Sequence, residues 1–155
     1  MVTVYLLALL IGVVAGLRAM TAPAVMSWAS HLGWLDLSGT WLAFLGSVWA
    51  RWILTLFALV ELVTDQLPTT PSRTVPVQFG ARIVTGALSG AAVGASGGAL
   101  IGGGCAGIIG AIIGTLGGRA FRARLAKAFG NDRPAAFIED AVAIGGALLI
   151  GVALR

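Results

Sequence analysis

Between Arg82 and Arg119 the chain runs for 36 residues without a single charged side chain. As one helix that run would extend roughly 54 Å at 1.5 Å per residue, well past the ~30 Å hydrocarbon core of a bilayer. Two shorter helices that break near Ser96-Gly97-Gly98 fit better. Similar uncharged runs make up most of the chain. Hydrophobic residues are 58% of the total and charged residues only 10%, where an ordinary soluble domain carries about a quarter charged. Too little polar surface remains to cover a soluble core. The expectation is an all-α, polytopic transmembrane helix bundle in which residues 1–155 form a single transmembrane domain.

Charges and helix breakers divide the chain into about five spans. The first runs from about residue 3 into the twenties, interrupted by Arg18 and Pro23. The second runs from about Trp41 to Leu67, where the sequence PTTP stops it, because proline cannot continue the hydrogen-bond ladder. The third and fourth occupy the long uncharged run, and the fifth runs from Pro134 to about Leu154. Residues 119–133 carry Arg119, Arg122, Arg124, Lys127 and Arg133 against one acid, Asp132, and the 67–82 link carries Arg73 and Arg82. Five spans place both basic links on one side. The positive-inside rule then predicts a multi-pass protein of the cell inner membrane with a cytoplasmic N-terminus. The apolar N-terminal segment lacks the basic flank of a cleaved signal peptide.

The net charge of +4 does not point to nucleic acid, because the basic residues lie beside apolar spans. They read instead as topology markers in contact with the bilayer, and with anionic lipid at the cytoplasmic face. RAFRARLAKAF, residues 119–129, reads as a short amphipathic helix on that surface. Trp28, Trp34, Trp41, Trp49 and Trp52 cluster between the first two spans and predict the opposite interfacial belt, with Arg51 as an anchor among them. His31 is a lone loop residue. The single cysteine, Cys105, excludes an internal disulfide and packs as a small apolar group.

From Gly86, glycine recurs at every fourth position through Gly118, with Ala106 standing in once. Small residues at that spacing let helix backbones approach closely, which predicts a glycine-zipper core, within one protomer or across a dimer; a homodimer is expected, because five short helices alone provide little protein around a pathway. The glycines do not read as a nucleotide fingerprint, since no strand precedes them and no acid follows. AGLRAM (15–20) and GGRAF (117–121) are alike, and ALVELV (58–63) and AFIEDA (136–141) align Glu61 with Glu139. Together they suggest repeat halves 1–67 and 98–155 joined by a connector span, 80–97. On a five-span path the halves would be inverted, a recurrent transporter design.

The sharpest signal is charge inside apolar segments. Glu61 and Asp65 are four residues apart, on one helix face, and Glu139 and Asp140 lie near the start of the last span. Acids inside spans usually face a bundle interior or an aqueous cavity. With Arg18 and Arg119 they form the candidate ion- or ligand-binding set, and no catalytic residue is assigned. Three functions remain open. In a small transporter or channel for an ion or solute, the carboxylates are proton or cation sites. In a metal-dependent enzyme acting on a lipid phosphate, Glu61, Asp65 and Glu139 would hold Mg²⁺ and arginines would grip phosphate. In a structural membrane subunit, the charges only staple helices. No nucleophile or acid-rich motif favours the enzyme, so no cofactor is expected on the preferred reading. On the five-span path Arg18 lies across the bilayer from the acids. It would then cap carbonyls near Pro23 or meet phosphate at the external boundary.

At GLRAMTAPAV, ELVTDQLPTTPSR and FIEDAVAIGGAL the chain resembles an uncharacterised family of small bacterial integral membrane proteins, a domain of unknown function. The shared motifs are Gly-Leu-Arg, Glu-x-x-x-Asp-x-x-Pro and Glu-Asp. The resemblance implies membrane placement and draws attention to Arg18, Glu61, Asp65, Pro68, Glu139 and Asp140. It assigns no chemistry.

Overall fold

The computed structural model describes all 155 residues, and they form six α-helices with no strand. These are α1 (Val2–Leu17), α2 (Thr21–His31), α3 (Val48–Thr64), α4 (Pro76–Ser96), α5 (Leu100–Phe129) and α6 (Asp132–Ala153), with a 3-10 helix at Trp41–Gly46. Local chemistry sets the boundaries. Ser47 accepts the Ala50 amide to begin α3, Pro76 opens α4, and Asn131 Oδ1 accepts the Arg133 amide at 3.1 Å to begin α6. The long uncharged run breaks where expected, in a turn through Gly97 and Gly98, with Gly98 at φ +70°. That angle suits glycine because a Cβ there would be strained.

The core is three helices packed through glycine. α4 and α5 are antiparallel, with Gly86 facing Gly107 and Ala111, and Gly94 facing Ala99 and Gly103. α1 lies on another side of α5 and runs parallel to it: Tyr5 meets Gly102, Gly12 meets Gly107, and Gly16 meets Gly114 and Thr115. A Cβ built on Gly86 would come within 2.8 Å of the Gly107 carbonyl oxygen, and one on Gly16 within 2.6 Å of the Thr115 amide nitrogen. The small residues of α5 therefore serve two neighbours, and these close approaches lie within one chain.

The first expected span is broken. α1 ends at Leu17, Arg18 is extended (φ −140°, ψ 108°), and α2 begins at Thr21. α2 turns back alongside α1, so that Val25 meets Gly151 of α6 while Arg18 meets Asp140 near the start of that helix. Six helices therefore alternate in direction where five spans are expected. Both termini lie at the end away from Arg18, Glu61 and Glu139. The parallel packing of α1 on α5 also means that the segments ending in Arg18 and Arg119 run the same way. That removes the inversion expected of them.

Two other expectations change. Residues 119–129 are the continuation of α5, not a separate surface helix; α5 spans 30 residues, about 45 Å at 1.5 Å per residue. The link after α2 is no simple external loop, because Leu35, Leu37, Leu42 and Leu45 are buried in the core. α5 and α6 are each long and apolar enough to cross a membrane. α3 lies at the periphery and buries only Arg51, leaving Trp49, Leu56, Leu59 and Val63 among its exposed side chains.

Backbone contact through glycine leaves no room for a branched side chain. Gly107→Val, whose Cβ would sit 3.0 Å from the Gly90 Cα and closer still to Gly86, is expected to destabilise by roughly 3 kcal/mol, the upper end of ordinary overpacking. Gly117→Ala, which meets open space, should melt like the parent. Thermal unfolding of the two purified variants checks the contrast.

Candidate functional site

The break at Arg18 leaves α1 with orphan carbonyls and α2 with orphan amides inside an apolar bundle. Other helices supply the missing partners. Glu61, near the end of α3, accepts the amides of Ala19 and Met20, each at 2.8 Å. Arg82, two turns into α4, donates through Nη1 to the carbonyls of Gly16 (3.0 Å) and Leu17 (2.8 Å). Glu61 Oε1 and Arg82 Nη2 are themselves 3.9 Å apart. A carboxylate thus meets the positive end of α2 and a guanidinium the negative end of α1, each the favoured sign for a helix terminus.

With its backbone secured this way, Arg18 turns its fully buried guanidinium to the acids. Nε donates to Asp140 Oδ1 at 2.6 Å, the Nη atoms contact Asp65 and Asp140, and Glu139 lies 4.0 Å from Nη2. The expected separation of Arg18 from Asp65 across the bilayer is therefore overturned. The hairpin at residues 18–20 brings Arg18 to the acids, and the carbonyl capping expected of Arg18 falls to Arg82.

Arg73, in the loop between α3 and α4, grips both oxygens of Glu139, with Nη2 at 2.9 Å from Oε2. Glu139 is 1% exposed and Arg73 8%, so this pair is shielded from solvent. Gly118 permits the approach: a Cβ there would lie 3.1 Å from Arg73 Nη1 and from Glu139 Oε1. Arg122 sits further out. It forms a fork on Asp132 through Nε (2.9 Å) and Nη2 (2.5 Å), while Nη1 lies 3.6 Å from both Asp65 and Glu139. Gln66 adds a donor to Asp140 Oδ2 at 3.0 Å.

The structure thus unites Glu61, Asp65, Glu139, Asp140 and Arg18 at one end of the bundle. Arg119 stands apart. It is exposed, has no carboxylate partner, and reaches only Thr74 Oγ1 at 3.5 Å. Sequence reasoning missed Arg82 and Arg122 as members of the network. Arg82 was available as a signal, since Pro76 is a natural first helical residue and puts position 82 well inside the helix. No group of three or more acid, histidine or cysteine side chains is arranged as a metal-binding cluster.

Two cavities adjoin the network. One, of about 350 Å³, opens at the charged end among Asp65, Arg73, Arg119, Arg122 and Asp132. The other, of about 340 Å³, lies between α3 and α4 beside Met20, Phe57, Glu61 and Gln78. Asp65 and Thr70 line both.

Breaking a buried ion pair strands the remaining charges, at a cost of about 3–5 kcal/mol. Arg18→Ala is expected to destabilise within that range, because Asp140 and Asp65 lose their principal cation. Arg119→Ala, on the exposed rim, should shift stability by less than about 0.5 kcal/mol. Melting curves in one detergent would separate the two.

No curated protein and no solved structure matches the chain. A family model described as "Domain of unknown function (DUF4126)" matches residues 5–153. The Gly-Leu-Arg, Glu-x-x-x-Asp and Glu-Asp segments that build the charged end all fall within that stretch, and the chain belongs to this family.

Proposed function

We propose that the protein is a multi-pass protein of the bacterial inner membrane that acts as a small transporter or channel for an ion or small solute. Its outward surface supports the membrane placement. In water α3 would expose Trp49, Trp52, Leu56, Phe57, Leu59 and Val63, a contiguous apolar surface of the kind that marks contact with a membrane or a partner. The basic residues Arg73, Arg119, Arg122, Arg124, Lys127 and Arg133 belong to the charged end, which the positive-inside rule assigns to the cytoplasm. With six helices alternating in direction, both termini then face the other side. This replaces the cytoplasmic N-terminus expected from five spans.

One observation carries the transport reading: Asp65 lines both the cavity open at the charged end and the cavity that reaches Glu61 between α3 and α4. Asp65 contacts Arg18 and lies 3.6 Å from Arg122, so it can trade one arginine for the other as an ion or proton passes. Carboxylates placed this way inside apolar segments are the usual markers of such paths. A purely structural subunit is the second reading. It is favoured by the pairing of every carboxylate in the network with an arginine or with backbone amides.

Asp65→Asn separates the two readings, because Arg18 keeps Asp140 and the bundle is expected to stay folded. In proteoliposomes under an imposed ion or pH gradient, transport predicts at least a tenfold loss of flux in Asp65→Asn. No flux above empty liposomes in either protein would leave the structural subunit, and equal flux in both would take Asp65 out of the path. Reporter fusions at the two termini should report the same side of the membrane, opposite to a reporter inserted after Ser72.

A further inference from the structure

The cavity at the charged end gathers three guanidiniums, Arg73, Arg119 and Arg122, against two carboxylates, Asp65 and Asp132. The acids are not equivalent. Asp65 is engaged from behind by Arg18, outside the cavity. Asp132 is held only by Arg122, and its side chain is 60% exposed. Arg73 is committed to Glu139, whereas Arg119 has no acidic partner at all. Arg119 and Arg122 are three residues apart on α5 and so share a helix face. The hydroxyl-bearing loop residues Thr70 and Ser72 line the same cavity. The cavity therefore offers one free guanidinium, a second tied to a loosely held carboxylate, and hydroxyl groups beside them.

We propose that this cavity binds a phosphate-class oxyanion between Arg119 and Arg122, and that Asp132 is the resident carboxylate the anion displaces. Guanidinium forks match the paired oxygens of carboxylate and phosphate alike. The fork that Arg122 makes on Asp132 is thus the geometry it would make on the ligand. Displacing Asp132 costs little burial, because that side chain returns to solvent. The anion gains Arg119, which Asp132 does not contact. The same chemistry could come from a free phosphate or from the headgroup of an anionic lipid, since the cavity opens at the end assigned to the cytoplasmic face. The proposal deepens the transport reading by naming what enters the cavity. Binding itself stands without that reading, and only passage of the bound anion through the bundle rests on it.

The test uses the full chain in phosphatidylcholine nanodiscs, titrated calorimetrically with inorganic phosphate at low ionic strength. Saturable binding is expected. Arg119→Gln should weaken it at least tenfold without changing the melting temperature. Asp132→Asn should strengthen it about tenfold by removing the competing carboxylate. Arg133→Gln, an exposed neighbour without an ion pair, should change it less than twofold. A second arm repeats the titration in discs containing phosphatidylglycerol. A fall in apparent phosphate affinity that disappears in Arg119→Gln identifies the lipid headgroup as occupant. Unchanged affinity identifies the free anion. Absence of saturable binding in both parent and Asp132→Asn overturns the proposal, as does an equal loss in Arg119→Gln and Arg133→Gln. Binding is read at equilibrium, apart from flux. Phosphate bound without flux keeps the site and removes transport, and flux without phosphate binding does the reverse.

Discussion

A helix that stops inside an apolar bundle exposes backbone groups that nothing apolar can satisfy, and the architecture is arranged around one such stop. The chain reverses between Leu17 and Thr21, where water cannot serve as a partner if the surroundings are lipid. Glu61 closes the amides and Arg82 closes the carbonyls. These residues come from α3 and α4, so the first hairpin is fully satisfied only after half the chain has assembled. Glycine in α1 and α5 serves the same junction from another side. Thr115, on the turn of α5 that packs against Gly16, also reaches the Gly16 carbonyl, at 3.3 Å.

The charges around this junction form two tiers. The inner tier, Arg18 with Asp140 and Asp65 and Arg73 with Glu139, pairs opposite charges and is buried except at Asp65, which is half-buried. It resembles a structural staple, and buried pairs of that kind often contribute more to defining a single arrangement than to net stability. The outer tier, Arg122 with Asp132 and the unpaired Arg119, is open and uneven. Arg122 joins the tiers, lying 3.6 Å from Asp65 and from Glu139 while forking on Asp132. A change in what occupies Arg122 would therefore be felt by carboxylates that also hold Arg18 and Arg73.

Much of this is readable from the chain. The uncharged run from 83 to 118, its break near Gly97-Gly98 and a last helix ending near Leu154 follow from hydropathy and turn chemistry, and the structure has them, with that helix opening at Asn131 ahead of Pro134. The acids singled out for their position inside apolar segments do meet. The reversal at Arg18 is not readable in the same way. Val2–Trp28 carries no charge except Arg18, and Pro23 sits in the first turn of α2, where proline is tolerated. Hydropathy alone cannot tell a kinked span from two helices when the breaking signal is one extended residue. Once Arg18 is placed across the bilayer, its natural partners are lost, and an inverted relation between the halves follows from that same misplacement. Arg122 escapes notice for a different reason. A basic run beside a span looks like a topology marker, and only the continuation of α5 past Gly118 brings that one arginine back over the acids.

The glycine contacts also sort the helices by how they are held. α1 and α4 each meet α5 backbone to backbone, at Gly12 and Gly16 and at Gly86, Gly90 and Gly94, so the three helices form a single spindle. α3 is held instead by side chains: Leu54 packs against the core, and polar contacts tie it to the first hairpin. Near its end Glu61 meets the hairpin amides; near its start the Arg51 guanidinium lies 4.7 Å from the centre of the Trp28 ring, and at its middle Trp28 Nε1 donates to Thr55 at 3.0 Å. The cavity beside Glu61 therefore has unlike walls: α4, fixed by backbone contact with α5, and α3, held by side chains alone.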